Sequence, residues 1–242
     1  MLIAKAAEPL RAVSSLLYPA NCEVCGDCLA SDAYLCDACQ DKAPRIVPPF
    51  CEKCSEPFAG AISEAFTCAN CAHRALDFDS AVSAYRSRGV VRVVILRFKY
   101  GREVHLRHAI GAWLLAAVND SRLRHRSFDA IVPVPLHPAR RRERGFNQAE
   151  LLAKIVSAKM RVPLLAALER TRYTTTQTAF DRTERMENLR DAFRLRENFA
   201  VRDCRVLLVD DVLTTGSTLS ECARVLREAG ARSLHAVTAA RA

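Results

Sequence analysis

Two kinds of apolar pattern alternate along the second two thirds of this chain. Short runs rich in Val, Ile, Leu and Ala at residues 79–85, 128–135, 205–210 and 233–239 read as strands. The run Val206-Leu-Leu-Val209 lacks polar alternation, the mark of a strand buried on both faces. Between these runs, apolar positions recur every three or four residues over 89–99, 105–118, 147–160 and 219–229, which predicts helices. Residues 162–168 read as one more short strand. Residues 170–190 are rich in Thr and charge without an apolar period, and so read as an extended loop or hairpin. Strands that alternate with helices imply a three-layer α/β unit around a mostly parallel sheet. At the start of the chain, Leu2, Ile3, Ala6, Leu10, Val13 and Leu17 share one helical face, interrupted by Lys5, Glu8 and Arg11. That is an amphipathic helix and lacks the apolar core of a secretion signal. No apolar run reaches membrane-spanning length, so a cytoplasmic location is expected.

The strand run at 206 ends in adjacent carboxylates, Asp210 and Asp211. After Val212 and Leu213 come five small residues, Thr214, Thr215, Gly216, Ser217 and Thr218. At the carboxyl end of a parallel strand, acids suit ribose hydroxyls or a metal. A turn of small residues at a helix N-terminus points backbone N–H groups outward and suits a phosphate. A capping Asp alone needs one polar residue, not two acids and five small ones. No Gly-Lys-Ser/Thr follows a glycine-spaced run, which excludes a Walker loop. The stretch resembles the fingerprint of the phosphoribosyltransferase family. The resemblance implies that Leu213, Thr214, Thr215, Gly216, Ser217 and Thr218 hold the 5-phosphate of phosphoribosyl pyrophosphate (PRPP), and that Asp210 and Asp211 hold its ribose hydroxyls.

The first third of the chain is different in composition. Nine of the eleven cysteines lie between Cys22 and Cys71. Eight form Cys-x2-Cys pairs: Cys22 with Cys25, Cys36 with Cys39, Cys51 with Cys54, and Cys68 with Cys71. Each pair sets two sulfurs on one tight turn, and two pairs complete a tetrahedral all-sulfur site. Four pairs in a chain without a secretion signal read as two structural zinc ions, with disulfides as the alternative. The pairs combine either in sequential quartets or interleaved. Cys28 is left over, and Cys204 and Cys222 read as small apolar residues. Charge divides the chain in the same way. Up to residue 77 there are six Lys and Arg against ten Asp and Glu, and beyond it thirty against seventeen. A zinc module over residues 1–77 is thus acidic, while residues 78–242 carry the positive field that an anionic partner would meet.

Further stretches resemble one branch of the family, the ComF-type competence proteins. They are Val132-Pro-Val-Pro135-Leu136-His137-Pro138 with Arg140, Arg142, Glu143 and Arg144-Gly-Phe-Asn147-Gln, then Arg170-x-Arg172, Gln177, Arg182, Arg185, Asn188 and Ala192-Phe193. Phe98-Lys99-Tyr-Gly and the four cysteine pairs complete the resemblance in the same order. The chain departs from the pattern at Ala139, where an arginine is usual, and at Thr176, where a proline is usual. The resemblance implies a type I phosphoribosyltransferase-like fold preceded by a double zinc ribbon, two zinc ions, Mg²⁺ with PRPP, and a part in the handling of external DNA. Single-stranded DNA and the DNA-uptake machinery are the partners this implies.

Several positions have two readings. Pro135, Leu136, His137, Arg140 and Arg144 suit a diphosphate through backbone N–H groups and guanidinium pairs. Equally, His137 suits a turn cap, and residues 140–144 a solvated charge run. Lys99 is either an anion ligand or a snorkelling side chain. Arg170, Gln177, Arg182 and Arg185 either clamp a substrate or decorate a loop. No residue stands out as a general base for an acceptor, so whether the chain transfers the phosphoribosyl group or only binds it stays open. For the metals, elemental analysis of the purified chain should give about two zinc ions. Cys28→Ser should leave that content unchanged, and Cys36→Ser should lower it.

Overall fold

The computed structural model describes residues 21–29, 33–60, 62, 64–173 and 189–242. The amphipathic stretch at 1–18 and Gln177, Arg182 and Arg185 lie outside the described residues. In the cysteine-rich segment the same unit occurs twice. In the first, the Cys22 carbonyl accepts from Gly26 N–H, and Cys22 N–H donates to Asp27. In the second, Cys51 makes the corresponding bonds with Ser55 and Glu56. Gly26 and Ser55 occupy the same place in each turn with φ of 81° and 59°, the left-handed region where glycine is the usual choice. Each unit closes on a short helix after its third cysteine, α1 (Asp37–Asp41) and α2 (Ala69–Ala72).

Beyond the ribbons come β1 (Ser80–Arg86), α3 (Gly89–Tyr100), a 3-10 turn (Val104–Leu106), α4 (Arg107–Val118), β2 (Ala130–Pro133), α5 (Pro138–Arg144) and α6 (Gln148–Met160). The chain continues through β3 (Leu168–Arg170), β4 (Phe193–Leu195), β5 (Arg205–Leu213), α7 (Ser217–Glu228) and β6 (Ser233–Arg241). The main sheet is fully parallel in the order β1-β6-β5-β2, and β3 pairs antiparallel with β4. Strand alternation divides the core in two. Leu207 and Val209 of β5 pack with α3, α4 and α6, whereas Val206 and Leu208 pack with α7.

The ribbons straddle the β1 edge of this sheet. Ile46 N–H donates to Ala84 and Arg86 N–H to Pro44, so the strap between the ribbons pairs antiparallel with β1. Cys22, Leu35 and Cys39 join the core on the α3–α4 face, and Cys51, Cys54 and Cys71 join it on the α7 face. Gln40 of the first ribbon donates to the Tyr85 hydroxyl at 3.1 Å and accepts from Trp113 Nε1 at 3.4 Å. In the second, buried Ser55 donates to Ala81 O at 3.0 Å and accepts from Ser83 N–H at 3.2 Å.

Several expected boundaries shift. β5 runs on to Leu213 and β6 to Arg241, because the two strands keep pairing beyond the acids. β2 is shorter than its apolar run, since Pro133 and Pro135 have no N–H to give a ladder. The strand expected at 162–168 is a single parallel bridge between Ile131 and Leu164. Pro163 there offers only its carbonyl, which accepts from Ile131. The regular strand comes later, as β3. Helix α5 and strand β4 were not anticipated. At the ribbon–sheet junction, Ser55→Ala would leave buried Ser83 N–H without its acceptor, at a cost of about 1–3 kcal/mol. Urea unfolding should show a lowered midpoint with an unchanged slope, and zinc content should not change.

Candidate functional site

The acids lie where β5 outruns its neighbour. The last β2 partner is Pro133, opposite Val209, so beyond that point β5 pairs only with β6 on its other side, Asp210 opposite Thr238. Side-chain alternation sends them to opposite faces of the sheet. Asp211 is 4% exposed and meets Lys99 Nζ of α3 at 2.9 Å. Burial works against the Lys99 charge, but Asp211 and then Asp210 outweigh it and raise its pKa, with Arg144 opposing. Lys99 is therefore an ion-pair partner within the acid cluster. Asp210 faces the α7 side, where its charge acts on buried Cys222 and on Arg170. Burial and then the Asp211 carboxylate push Asp210 up to about 7, against the pull of Lys99. Its own Oδ1 accepts from Asp211 N–H at 2.8 Å.

The loop after β5 turns through Gly216, whose φ of 81° is left-handed. A Cβ there would meet only ordinary contacts with Phe78 and Leu213, so conformation, not space, calls for glycine. Gly216 caps α7, and the Gly216 carbonyl accepts from Ser220 N–H at 2.8 Å. The amides of Ser217, Thr218 and Leu219 are the orphan donors of the helix start. Ser217 N–H has only a long 3.4 Å contact to Thr215 Oγ1, whose hydroxyl also meets Ser217 Oγ at 2.9 Å. Leu213, Thr214, Thr215, Gly216, Ser217 and Thr218 thus form a turn at a helix N-terminus beside the carboxylates, an arrangement that suits an anion.

The turn after β2 brings up the other anion candidates. Pro135 is buried, and the Leu136 and His137 N–H groups meet no carbonyl among the described residues. His137 caps α5 through Nδ1, which accepts from Ala139 N–H at 3.2 Å, and stands edge-on to Tyr173. Burial, then Arg170 and Arg142, lower its pKa. One face of α5 carries Arg140 and Arg144, over the rings of Tyr173 and Tyr100 at 5.5 and 5.0 Å. Arg141 turns the other way to Glu150 at 3.3 Å. Arg170, at the end of β3, lies over Phe193, and burial lowers its pKa while leaving a guanidinium charged. A cavity of about 280 Å³ beside this turn is lined by Pro135, Leu136, Asn147, Leu168 and Arg170.

Two arginines of the site escaped sequence reasoning. Arg74, three residues past Cys71, donates from Nη1 to Thr215 O at 3.0 Å and from Nη2 to Ser217 Oγ at 3.1 Å. Arg241, buried at the end of β6, donates to Leu213 O at 3.2 Å and pairs with Glu56. An arginine just behind the last cysteine of a ribbon was the available signal for Arg74. For Arg241, at the end of an apolar strand, there was none.

In the ribbons the sulfurs gather in sequential quartets. Cys22, Cys25, Cys36 and Cys39 form one cluster and Cys51, Cys54, Cys68 and Cys71 the other, each with its Sγ atoms within 4.8 Å of one another. Cys28 is exposed and in neither. Thiol donation from Cys54 and Cys71 holds Cys51 far below the usual thiol range. Backbone N–H groups at Cys25, Cys36 and Val24 outweigh burial and bring Cys22 to about 6. Cys51 in turn raises Cys54 and Cys71, burial raises Cys39, and Cys25 is raised with the Asp27 N–H opposing. Four sulfurs so gathered suit tetrahedral zinc, which would bind them as thiolates.

These features define a phosphoribosyltransferase-type domain joined to a double zinc ribbon. A phosphoribosyl transferase domain model matches residues 147–242, and a double zinc ribbon model matches residues 13–72. The chain is 33% identical over 214 residues to Competence protein F of Haemophilus influenzae, covering 86% of this chain and 90% of that protein. It is 31% identical over 223 residues to DNA utilization protein YhgH of Escherichia coli K12, covering 90% and 96%. Identity to Competence protein ComFC of Bacillus subtilis is 28% over 208 residues, covering 84% and 81%. The chain belongs to this ComF-type competence family.

Asp210 gives the site a pH signature. Its folded pKa lies above the unfolded value, so the folded state holds the proton between pH of roughly 4 and 7. Its contribution to stability therefore falls as pH rises through that window. Asp210→Asn removes the charge, and should raise the melting temperature at pH 8 by about 2–4 °C, the shift of ~1 kcal/mol in a chain of this size. At pH 4 the variant and the parent should melt together.

Proposed function

We propose that this chain binds PRPP as its magnesium complex at the end of β5, and that the same basic domain handles single-stranded DNA. The observation that carries the proposal is the acid pair set against the Gly216 cradle. The cradle suits the 5-phosphate. Asp210 and Asp211, when ionised, suit hydroxyl donors from the ribose. Arg140, Arg144 and the Leu136 and His137 amides suit the diphosphate: Lys99 is half-buried against Asp211, whereas the Arg140 pair with Glu143 is on the exposed face of α5. Asp210 and Asp211 are also the groups that would face a Mg²⁺ bound with PRPP, which would supply positive charge against the diphosphate.

The DNA role rests on relatives named for competence and DNA utilization and on the positive charge beyond residue 77. No helix among the described residues is long and apolar enough to cross a membrane, and a cytoplasmic place for these steps is part of the proposal, as are contacts with the DNA-uptake machinery. Residues 1–77 as a separate zinc module and residues 78–242 as the phosphoribosyltransferase-type domain remain the proposed division of labour. Roles for Arg170, Gln177, Arg182 and Arg185 in covering the ligand belong to the same proposal. A second reading, transfer of the phosphoribosyl group to an acceptor, is favoured by the cavity that shares Pro135, Leu136 and Arg170 with the anion turn. In that case the carboxylates would steady positive charge that develops on the ribose as diphosphate leaves.

Titration calorimetry with PRPP and Mg²⁺ tests the reading. Binding should appear at or below millimolar ligand and tighten as pH rises through about 7, while Asp211→Asn should weaken it by about 1.5–3 kcal/mol. A labelled single-stranded oligonucleotide should bind with a steep salt dependence, about −0.7 in log–log slope per phosphate. Displacement of that oligonucleotide by PRPP would place both on one site. No heat of binding at millimolar PRPP would refute the phosphoribosyl reading.

A further inference from the structure

The second ribbon does more than cover an edge. Among the described residues, it and the segment behind it bond to β1, to the phosphate loop and to the first turns of α7, while Asp77 O also accepts from Arg227 at the far end of that helix. Arg74 holds the carbonyl of Thr215 and the hydroxyl of Ser217, and is itself steadied by Asn70 Oδ1 at 2.9 Å, within α2. One turn on, Asp77 N–H donates to Ser220 Oγ at 3.0 Å and Asp77 Oδ2 accepts from the same hydroxyl at 2.9 Å. On the other side of the loop, Glu56 pairs with Arg241, and Arg241 donates to the carbonyl of Leu213. The loop is therefore pinned at Leu213, Thr215, Ser217 and Ser220 by groups that depend on the ribbon's place. The first ribbon has no such contacts among the described residues: its bonds run to Arg97, His105, Tyr85 and Trp113.

We propose that the second four-cysteine site is a working part of the phosphate loop, with Arg74 as the positioning residue between them. Asn70 lies between Cys68 and Cys71, and Arg74 is three residues past Cys71, so the metal that ties those sulfurs to Cys51 and Cys54 fixes where the guanidinium sits. The guanidinium in turn engages the Thr215 carbonyl, so that this oxygen is occupied by a donor beside the orphan amides of the loop. Occupancy of the second metal site and occupancy of the loop are then linked, and the linkage is reciprocal: whatever factor zinc adds to anion affinity, the anion adds to zinc affinity. The first metal site is outside this coupling.

The test uses the intact chain. Arg74→Ala removes no thiolate and leaves both zinc ions in place. In the ligand-free protein it should speed amide hydrogen exchange at residues 220–222, the first hydrogen-bonded amides of α7, on the order of tenfold, the scale of one lost charge-assisted hydrogen bond, with Arg74→Lys in between. The same variant should weaken PRPP binding by a similar factor. In chelator competition, saturating PRPP should tighten one of the two zinc ions about tenfold and leave the other alone. Cys25→Ser, which disables the first site, should keep the tightened one. The ligand arms rest on the PRPP reading, and the exchange arm does not. If wild-type protein fails to bind PRPP, that reading falls while exchange still decides the coupling. Unchanged exchange at 220–222 in Arg74→Ala, or equal tightening of both zinc ions by PRPP, overturns the proposal.

Discussion

An open strand edge is the constraint around which this molecule is arranged. In a parallel sheet of order β1-β6-β5-β2, the outer side of β1 carries N–H and C=O groups with no sheet partner. The cysteine-rich segment answers that need with backbone from residues 44–46, with Lys53 O accepting from Ala81 N–H, and with the Ser55 hydroxyl. Ribbons this short cannot bury a core of their own, so metal-bridged sulfurs stand in for one. Each then adds its apolar side to a different face of the sheet. Edge and ribbons complete each other, and the two cores of the α/β unit both include cysteine sulfurs.

The two ribbons are alike in backbone and different in use. Gly26 and Ser55 occupy the same left-handed corner, and only the second has a hydroxyl to offer. That hydroxyl is what docks the second ribbon on β1. A left-handed serine is strained relative to glycine, and the two hydrogen bonds it makes in a buried setting are the compensation. The first ribbon, with glycine there, docks instead through Gln40, Glu23 and Tyr34 on the helical side.

Most of the architecture was legible because its signals are local. The unbroken Val206–Val209 run, the helical periods and the Cys-x2-Cys spacing each depend on neighbours in sequence, and the structure has those elements where expected. What sequence could not give depends on tertiary partners. Spacing favoured sequential quartets but left interleaved cysteine pairing open, and the gathering of the sulfurs in three dimensions decides for the sequential one. Lys99 looked like a snorkelling side chain because its partner, Asp211, is 112 positions away. The helix at Pro138–Arg144 was hidden by its arginines, which resemble any solvated charge run until Tyr100 and Tyr173 give them rings to lie on. Arg74 and Arg241 act on backbone carbonyls, and a carbonyl leaves no trace in a sequence.

The unequal surroundings of the two carboxylates have a thermodynamic corollary. Asp211 has a lysine as counter-ion, while Asp210 is held near half-protonation at neutral pH. A ligand whose hydroxyls require both groups as acceptors must first expel the proton from Asp210. Association near neutrality is then also a deprotonation, so the buffer takes up what the protein releases. The heat measured for such an event includes the buffer's own ionisation enthalpy. Two buffers at one pH will report different enthalpies for the same bond-making, and their difference counts the protons.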